Sequence, residues 1–177
     1  MILITILTCI VYLIANSFSY KIGTDLLEHL PLYDVLHEML PDLSKYVYIR
    51  DIILIMAILP ILFFPKIWEY IPELWNSFML VVLIKAISIF FTNIPSSHPS
   101  SKKKKLNMYD LNNSFHCCVS GHSAFCMILA LLYIKFGFNV WIIWISVLLY
   151  SILIVVSRAH YTLDVIHGLL FTFLIAN

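Results

Sequence analysis

The chain has 177 residues, 62% of them hydrophobic and only 12% charged, with a formal net charge of +1. Ordinary soluble domains are about half apolar and about a quarter charged, so this composition cannot cover a water-facing surface, and the bilayer is expected to solvate much of it. The near-neutral balance gives no footing for nucleic acid as a partner, and the length suits a single domain over 1–177.

Six apolar stretches mark an all-α, polytopic membrane helix bundle of about six transmembrane helices. The first is about 2–19, with no Lys or Arg before Lys21. A signal peptide would carry a positive start and a small-residue cleavage site, so this segment reads as a retained membrane helix. A polar stretch follows over 21–51, with Leu26, Leu27, Leu30, Leu36, Leu40 and Leu43 at helical spacing. It suits one or two short helices lying over the mouth of the bundle. The second apolar stretch, about 52–64, is short and interrupted by Pro60. The third, about 74–94, carries Lys85 in its middle. A charge in lipid costs at least about 2.5–3.5 kcal/mol, so Lys85 is a functional candidate unless it snorkels or pairs with an acid.

A flexible loop is expected over 95–115, rich in Ser and Pro and holding the run Lys102–Lys105. That run either attracts anionic lipid or is simply solvated. The fourth stretch begins near Ser120 and runs to 138, the fifth covers about 140–156, and the sixth begins near His160 and ends at 177. Alternation puts Lys21, Lys45, Arg50, Lys102–Lys105 and Arg158 on one side and Lys66 and Lys135 on the other. The positive-inside rule assigns the first set to the cytoplasm. Four cysteines, Cys9, Cys117, Cys118 and Cys126, give no disulfide framework.

Two short stretches carry chemistry. Phe115-His116-Cys117-Cys118-Val119-Ser120-Gly121-His122-Ser123 opens the fourth span, and Arg158-Ala159-His160-Tyr161-Thr162-Leu163-Asp164-Val165 opens the sixth. One crossing out and one back return His160 to the membrane face of His122. Within a helix, His160 and Asp164 at i, i+4 would share a face, so Asp164 can fix the tautomer of His160 and leave its other nitrogen as nucleophile. His122 can then act as general acid. Ser120 and Gly121 offer backbone N–H groups to phosphate oxygens, and Arg158 and Lys85 offset phosphate charge. Asp34, His116 and His167 are candidates for headgroup contact or tuning, with a solvated helix face for Asp34 and a hydrogen-bonded bundle histidine for His167 as the plainer readings. His116, Cys117, Cys118 and His122 are all zinc-ligand types, but their spacing has no standard form, and no metal or other cofactor is expected.

These stretches resemble the sphingomyelin synthase family, the lipid-headgroup-transferring relatives of the type 2 phosphatidic acid phosphatases. One family motif reads Cys-Gly-Asp, three variable residues, Ser-Gly-His-Thr. Ser120-Gly121-His122-Ser123 matches its second half, with His116 where the family has its acid. The motif His-Tyr-Ser/Thr-x-Asp-Val is met throughout by His160-Tyr161-Thr162-Leu163-Asp164-Val165. Lys85, Thr92 and Pro95 keep the spacing of a third motif, with Lys for Arg and Ile94 for Leu, and Pro31-Leu32-Tyr33-Asp34 is similar to a fourth. The resemblance implies catalysis by His122, His160 and Asp164, with Lys85, Ser120, Gly121, Arg158 and Tyr161 holding the phosphate. The implied partners are a phospholipid donor and a lipid alcohol acceptor, ceramide or diacylglycerol, in a multi-pass membrane protein. Strict phosphatases of the superfamily usually show Pro-Ser-Gly-His, whereas Val119 precedes Ser120 here, which favours the transferase branch. A water-using phosphatase and a non-catalytic membrane scaffold are the rivals.

Overall fold

The computed structural model describes residues 2–23, 32–92, 94, 97 and 119–176, without the side chains of 19–23. Among them are seven α-helices and no strand: α1 Ile2–Gly23, α2 Val35–Met39, α3 Val47–Ile58, α4 Ile71–Phe91, α5 Gly121–Lys135, α6 Val140–Val156 and α7 Thr162–Ala176. Short 3-10 turns fill Ser44–Tyr46, Leu59–Phe63 and Pro65–Glu69.

Local chemistry sets most of these boundaries. Asp34 caps α2 by accepting from the N–H groups of Leu36 and His37. Pro60 has no N–H to give the carbonyl of Met56, so the α-helical ladder of α3 stops at Ile58 and the chain tightens into the Leu59–Phe63 turn. At its other end α3 begins at Val47, inside the stretch expected to lie over the bundle mouth, so Arg50 and Asp51 are helical. The turn between α5 and α6 needs Gly137, whose φ is 91°, and the Asn139 side chain then caps α6. The last helix departs from expectation. It starts at Thr162 rather than near His160, because the Asp164 carboxylate reaches back to the Tyr161 N–H at 3.0 Å and closes the helix start there.

Helix α5 is the centre of the fold, with Ser123, Ala124 and the run Met127 to Leu132 buried. It packs against α6, α7 and α4, and α1 lies along α4. Small residues allow these approaches: Ala15 and Ala86 at the α1–α4 contact, and Gly168 of α7 against Ser120 and Ser123. The Trp75 indole of α4 donates to the Thr5 hydroxyl of α1 at 2.9 Å. Outer faces remain apolar and uncovered. Ile6, Ile10 and Leu13 on α1, Met56 on α3, and Trp141, Ile145 and Leu149 on α6 are all exposed. Two helical stretches, Ser44–Phe63 and Ile71–Phe91, are long and apolar enough to cross a bilayer, while α5, α6 and α7 are apolar but shorter.

Candidate active site

The site forms where the starts of α5 and α7 are pressed together. The Ser120 N–H donates to the Asp164 carbonyl at 3.0 Å. The Ser120 hydroxyl accepts from the Ser123 N–H at 3.2 Å, while the Ser123 hydroxyl donates to the Ser120 carbonyl at 3.0 Å. Gly168 lies directly beneath: a Cβ there would fall 2.1 Å from Ser123 Oγ and 2.5 Å from the Ser120 carbonyl oxygen. Docking at this closeness brings His122, in the first turn of α5, to His160, just ahead of α7. Their ring centroids are 6.3 Å apart and their planes are inclined at 55°.

His160 is buried, and its Nδ1 lies 3.6 Å from Asp164 Oδ2. That is ion-pair range but beyond hydrogen-bond reach, and Nδ1 has no other hydrogen-bond partner. The expectation of a shared helix face is therefore corrected. His160 sits outside the helix, and Asp164 Oδ2 already accepts from the Tyr161 N–H. The carboxylate still stands on the Nδ1 side of the ring, which leaves Nε2 on the far side.

His122 has its own carboxylate, from an element that neither motif contains. Asp51 Oδ1 on α3 lies 3.0 Å from His122 Nε2, and the same oxygen accepts from Arg50 Nε at 2.9 Å and is ion-paired with Arg50 Nη2 at 2.9 Å. Arg50 is 3% exposed and Asp51 50% exposed, so the guanidinium is buried and the acid forms part of the open wall. Lys85 of α4 completes this wall: its ammonium lies 3.8 Å from where a Cβ on Gly121 would stand. Arg50 and Lys85 both act electrostatically on each imidazole. The sequence reading named Lys85 but missed Arg50 and Asp51 as site residues. The available signal was an adjacent cation and anion opening an apolar span.

The remaining candidates divide. Arg158 adopts φ 55° in the α6–α7 loop, and its Nη2 donates to the carbonyls of His37 and Leu40, the latter at 3.1 Å. Asp34 accepts from the Thr162 N–H at 2.6 Å and the Thr162 hydroxyl at 2.7 Å, in addition to capping α2. The Tyr161 hydroxyl accepts from the Leu32 N–H at 2.9 Å, and His37 Nε2 donates to the His160 carbonyl at 3.1 Å. Asp34, Arg158 and Tyr161 thus fasten the α2 segment to the loop that carries His160. Burial opposes ionisation of Asp34, but the hydrogen bonds from Thr162 and His37 outweigh it and hold its carboxyl below the usual range. Burial also pushes His37 below its ordinary value, with Asp34 opposing and Arg158 reinforcing the shift. His167 stacks on Phe171 with centroids 5.5 Å apart. It lines a cavity of about 410 Å3 with Asp34, Tyr161 and Asp164, while neither catalytic imidazole candidate lines it. His116, Cys117 and Cys118, and with them the zinc reading, lie outside the described residues, as do Pro31, Pro95 and Lys102–Lys105.

Residues 117–177 match the family model described as PAP2 superfamily C-terminal. The matched stretch contains Ser120-Gly121-His122 and the whole His160–Asp164 segment, and it supports a PAP2-related origin for this part of the chain. No curated protein and no solved structure gave a match.

Proposed function

With the PAP2-type match over 117–177 as premise, we propose that the chain is a multi-pass membrane enzyme that moves a phospho-headgroup from a phospholipid to a lipid alcohol. One observation carries the reading: two imidazoles, one in the first turn of α5 and one in the loop ahead of α7, stand with centroids 6.3 Å apart, with Asp164 behind one and the cations Arg50 and Lys85 alongside. The uncovered apolar faces of α1, α3 and α6 support a lipid surrounding.

The chemistry proceeds in two displacements. His160 Nε2 attacks the phosphorus of the donor. The P–O bond to diacylglycerol breaks, and His122, protonated, gives its proton to the departing oxygen. A phosphohistidine carrying the headgroup, phosphocholine or similar, remains. His122 then takes the proton of an incoming ceramide or diacylglycerol hydroxyl, whose oxygen attacks phosphorus while the P–N bond breaks and frees His160. Asp164, 3.6 Å from Nδ1, stabilises the positive charge that His160 acquires on attack. Lys85 and Arg50 stabilise the charge that builds on the phosphoryl oxygens.

Purified protein in phosphatidylcholine liposomes, given fluorescent ceramide and fluorescent diacylglycerol, tests this. Chromatography should show a new headgroup-bearing fluorescent lipid with the wild type and none with His160→Ala. A second reading, hydrolysis with water as acceptor, draws on the partial exposure of His122; release of free phosphocholine without a new lipid product would establish it over transfer. Wild-type protein that yields neither product would refute both.

A further inference from the structure

Outside the two motifs, the strongest unassigned cluster is Arg50-Asp51 on α3. It reaches His122 across 71 residues of sequence. We propose that Asp51 is the positioning residue of His122, fixing the tautomer and orientation in which that ring exchanges protons at Nδ1. The inference rests on the headgroup-transfer reading for what the proton exchange accomplishes, but not for the geometry itself.

Three observations lead there. First, a carboxylate can only accept, so the 3.0 Å contact places the proton of neutral His122 on Nε2 and leaves Nδ1 as the exchanging atom. Second, the carboxylate is itself held: both Arg50 contacts, at 2.9 Å, fall on the same oxygen that meets His122. A bond from a fixed carboxylate orients the ring; a bond from a swinging one would not. Third, His122 stands in the field of Arg50 and Lys85. A phosphate reaction needs those cations, yet they oppose the imidazolium that must re-form once per cycle, and the negative charge of Asp51 counters them at the ring. Each imidazole then has a dedicated carboxylate from a different helix, Asp164 for His160 and Asp51 for His122. The plainer role for Asp51, counter-charge to a buried Arg50, predicts lost stability without any change at the His122 ring.

The test uses full-length protein in lipid nanodiscs with 15N-labelled histidine, with His122 assigned by comparison with His122→Gln. In the wild type, long-range 1H–15N spectra should show His122 in the Nε2–H form. Asp51→Ala should yield a mixture of tautomers, and Asp51→Glu should restore the single form. In transfer assays Asp51→Asn, which keeps an acceptor but loses the charge, should lower kcat by about 10²-fold with KM little changed, and should narrow the pH profile. An unchanged His122 tautomer in Asp51→Ala would overturn the proposal, as would a fall in thermal stability with kcat intact. A tautomer that depends on Asp51 in a protein with no transfer or phosphatase activity would uphold the positioning and refute the reaction instead.

Discussion

Gly168→Ala is the sharpest perturbation of the site's framework. In an ordinary helix interior this substitution stabilises by about 1 kcal/mol, through backbone entropy and propensity. Here the added carbon would fall 2.1 Å from Ser123 Oγ and 2.5 Å from the Ser120 carbonyl oxygen. A serine side chain can rotate away at the cost of its hydrogen bond to the Ser120 carbonyl, about 1 kcal/mol. The carbonyl itself can move only if α5 and α7 separate, which strains the Ser120–Asp164 backbone bond and adds the usual overpacking cost of about 1–3 kcal/mol. The clash outweighs the propensity gain, and the net is a destabilisation of about 1–3 kcal/mol. The functional effect should be larger than the thermodynamic one. Separation by about an ångström misaligns His122 and His160, and a misplacement of that size costs about 10²-fold in rate. Thermal unfolding in nanodiscs, run beside the headgroup-transfer assay, measures both. A Gly168→Ala variant that is more stable than wild type and equally active would show that the α5–α7 contact is neither tight nor needed for alignment.

Other outcomes follow from the same geometry. His160→Ala should remove transfer by more than about 10⁴-fold, as loss of a nucleophile does, and should abolish the acid-labile phosphoprotein formed with 32P-labelled donor lipid. Lys85→Met, similar in length but uncharged, should lower kcat/KM by about 10²–10³-fold while leaving the unfolding midpoint within a few degrees of wild type. His37 titrates below its ordinary value in the fold, so the unfolded chain binds its proton more readily. Its contribution is complete above a pH of about 6.5 and declines as pH falls from there toward the folded value. Unfolding midpoints at pH 7.5 and 5.0 should therefore differ less in His37→Gln than in wild type, and an equal difference would refute the assignment. Asp34, also lowered, should make its own loss felt only in stronger acid, below about pH 4.

Much of the framework was legible in the sequence because apolar runs and helix-breaking residues act locally. Pro60, Gly137 and Asn139 ended or began elements where their chemistry requires. The return of His160 to His122 was readable from one crossing out and one back. The details that failed were competitions for a single group. Spacing suggested that Asp164 would share a helix face with His160, but the nearer claimant was the Tyr161 N–H, and by taking it Asp164 ended the helix short of His160. Arg158 was read from its charge alone, and nothing local encodes that its Nη2 also meets two carbonyls of the α2 segment. Asp51 stood at the edge of a hydrophobic stretch, where a carboxylate is commonplace. Only the packing of α3 against α5 shows that it meets His122, and no local periodicity encodes a contact between helices so far apart in the chain.

The shortness of the helix that carries His122 has a consequence for how a lipid would arrive. Helix α5 has 15 residues, about 22 Å of rise, against a hydrocarbon layer about 30 Å thick. Embedded in a bilayer, such a helix either draws the leaflet thinner around it or leaves its ends sunk beneath the headgroup plane. In both geometries the headgroup of a neighbouring lipid dips toward the protein, and its tails stay in oil throughout. A lipid substrate of the proposed reaction would then reach the site without being extracted into water, docking in a shallow dimple of the membrane at one abbreviated helix.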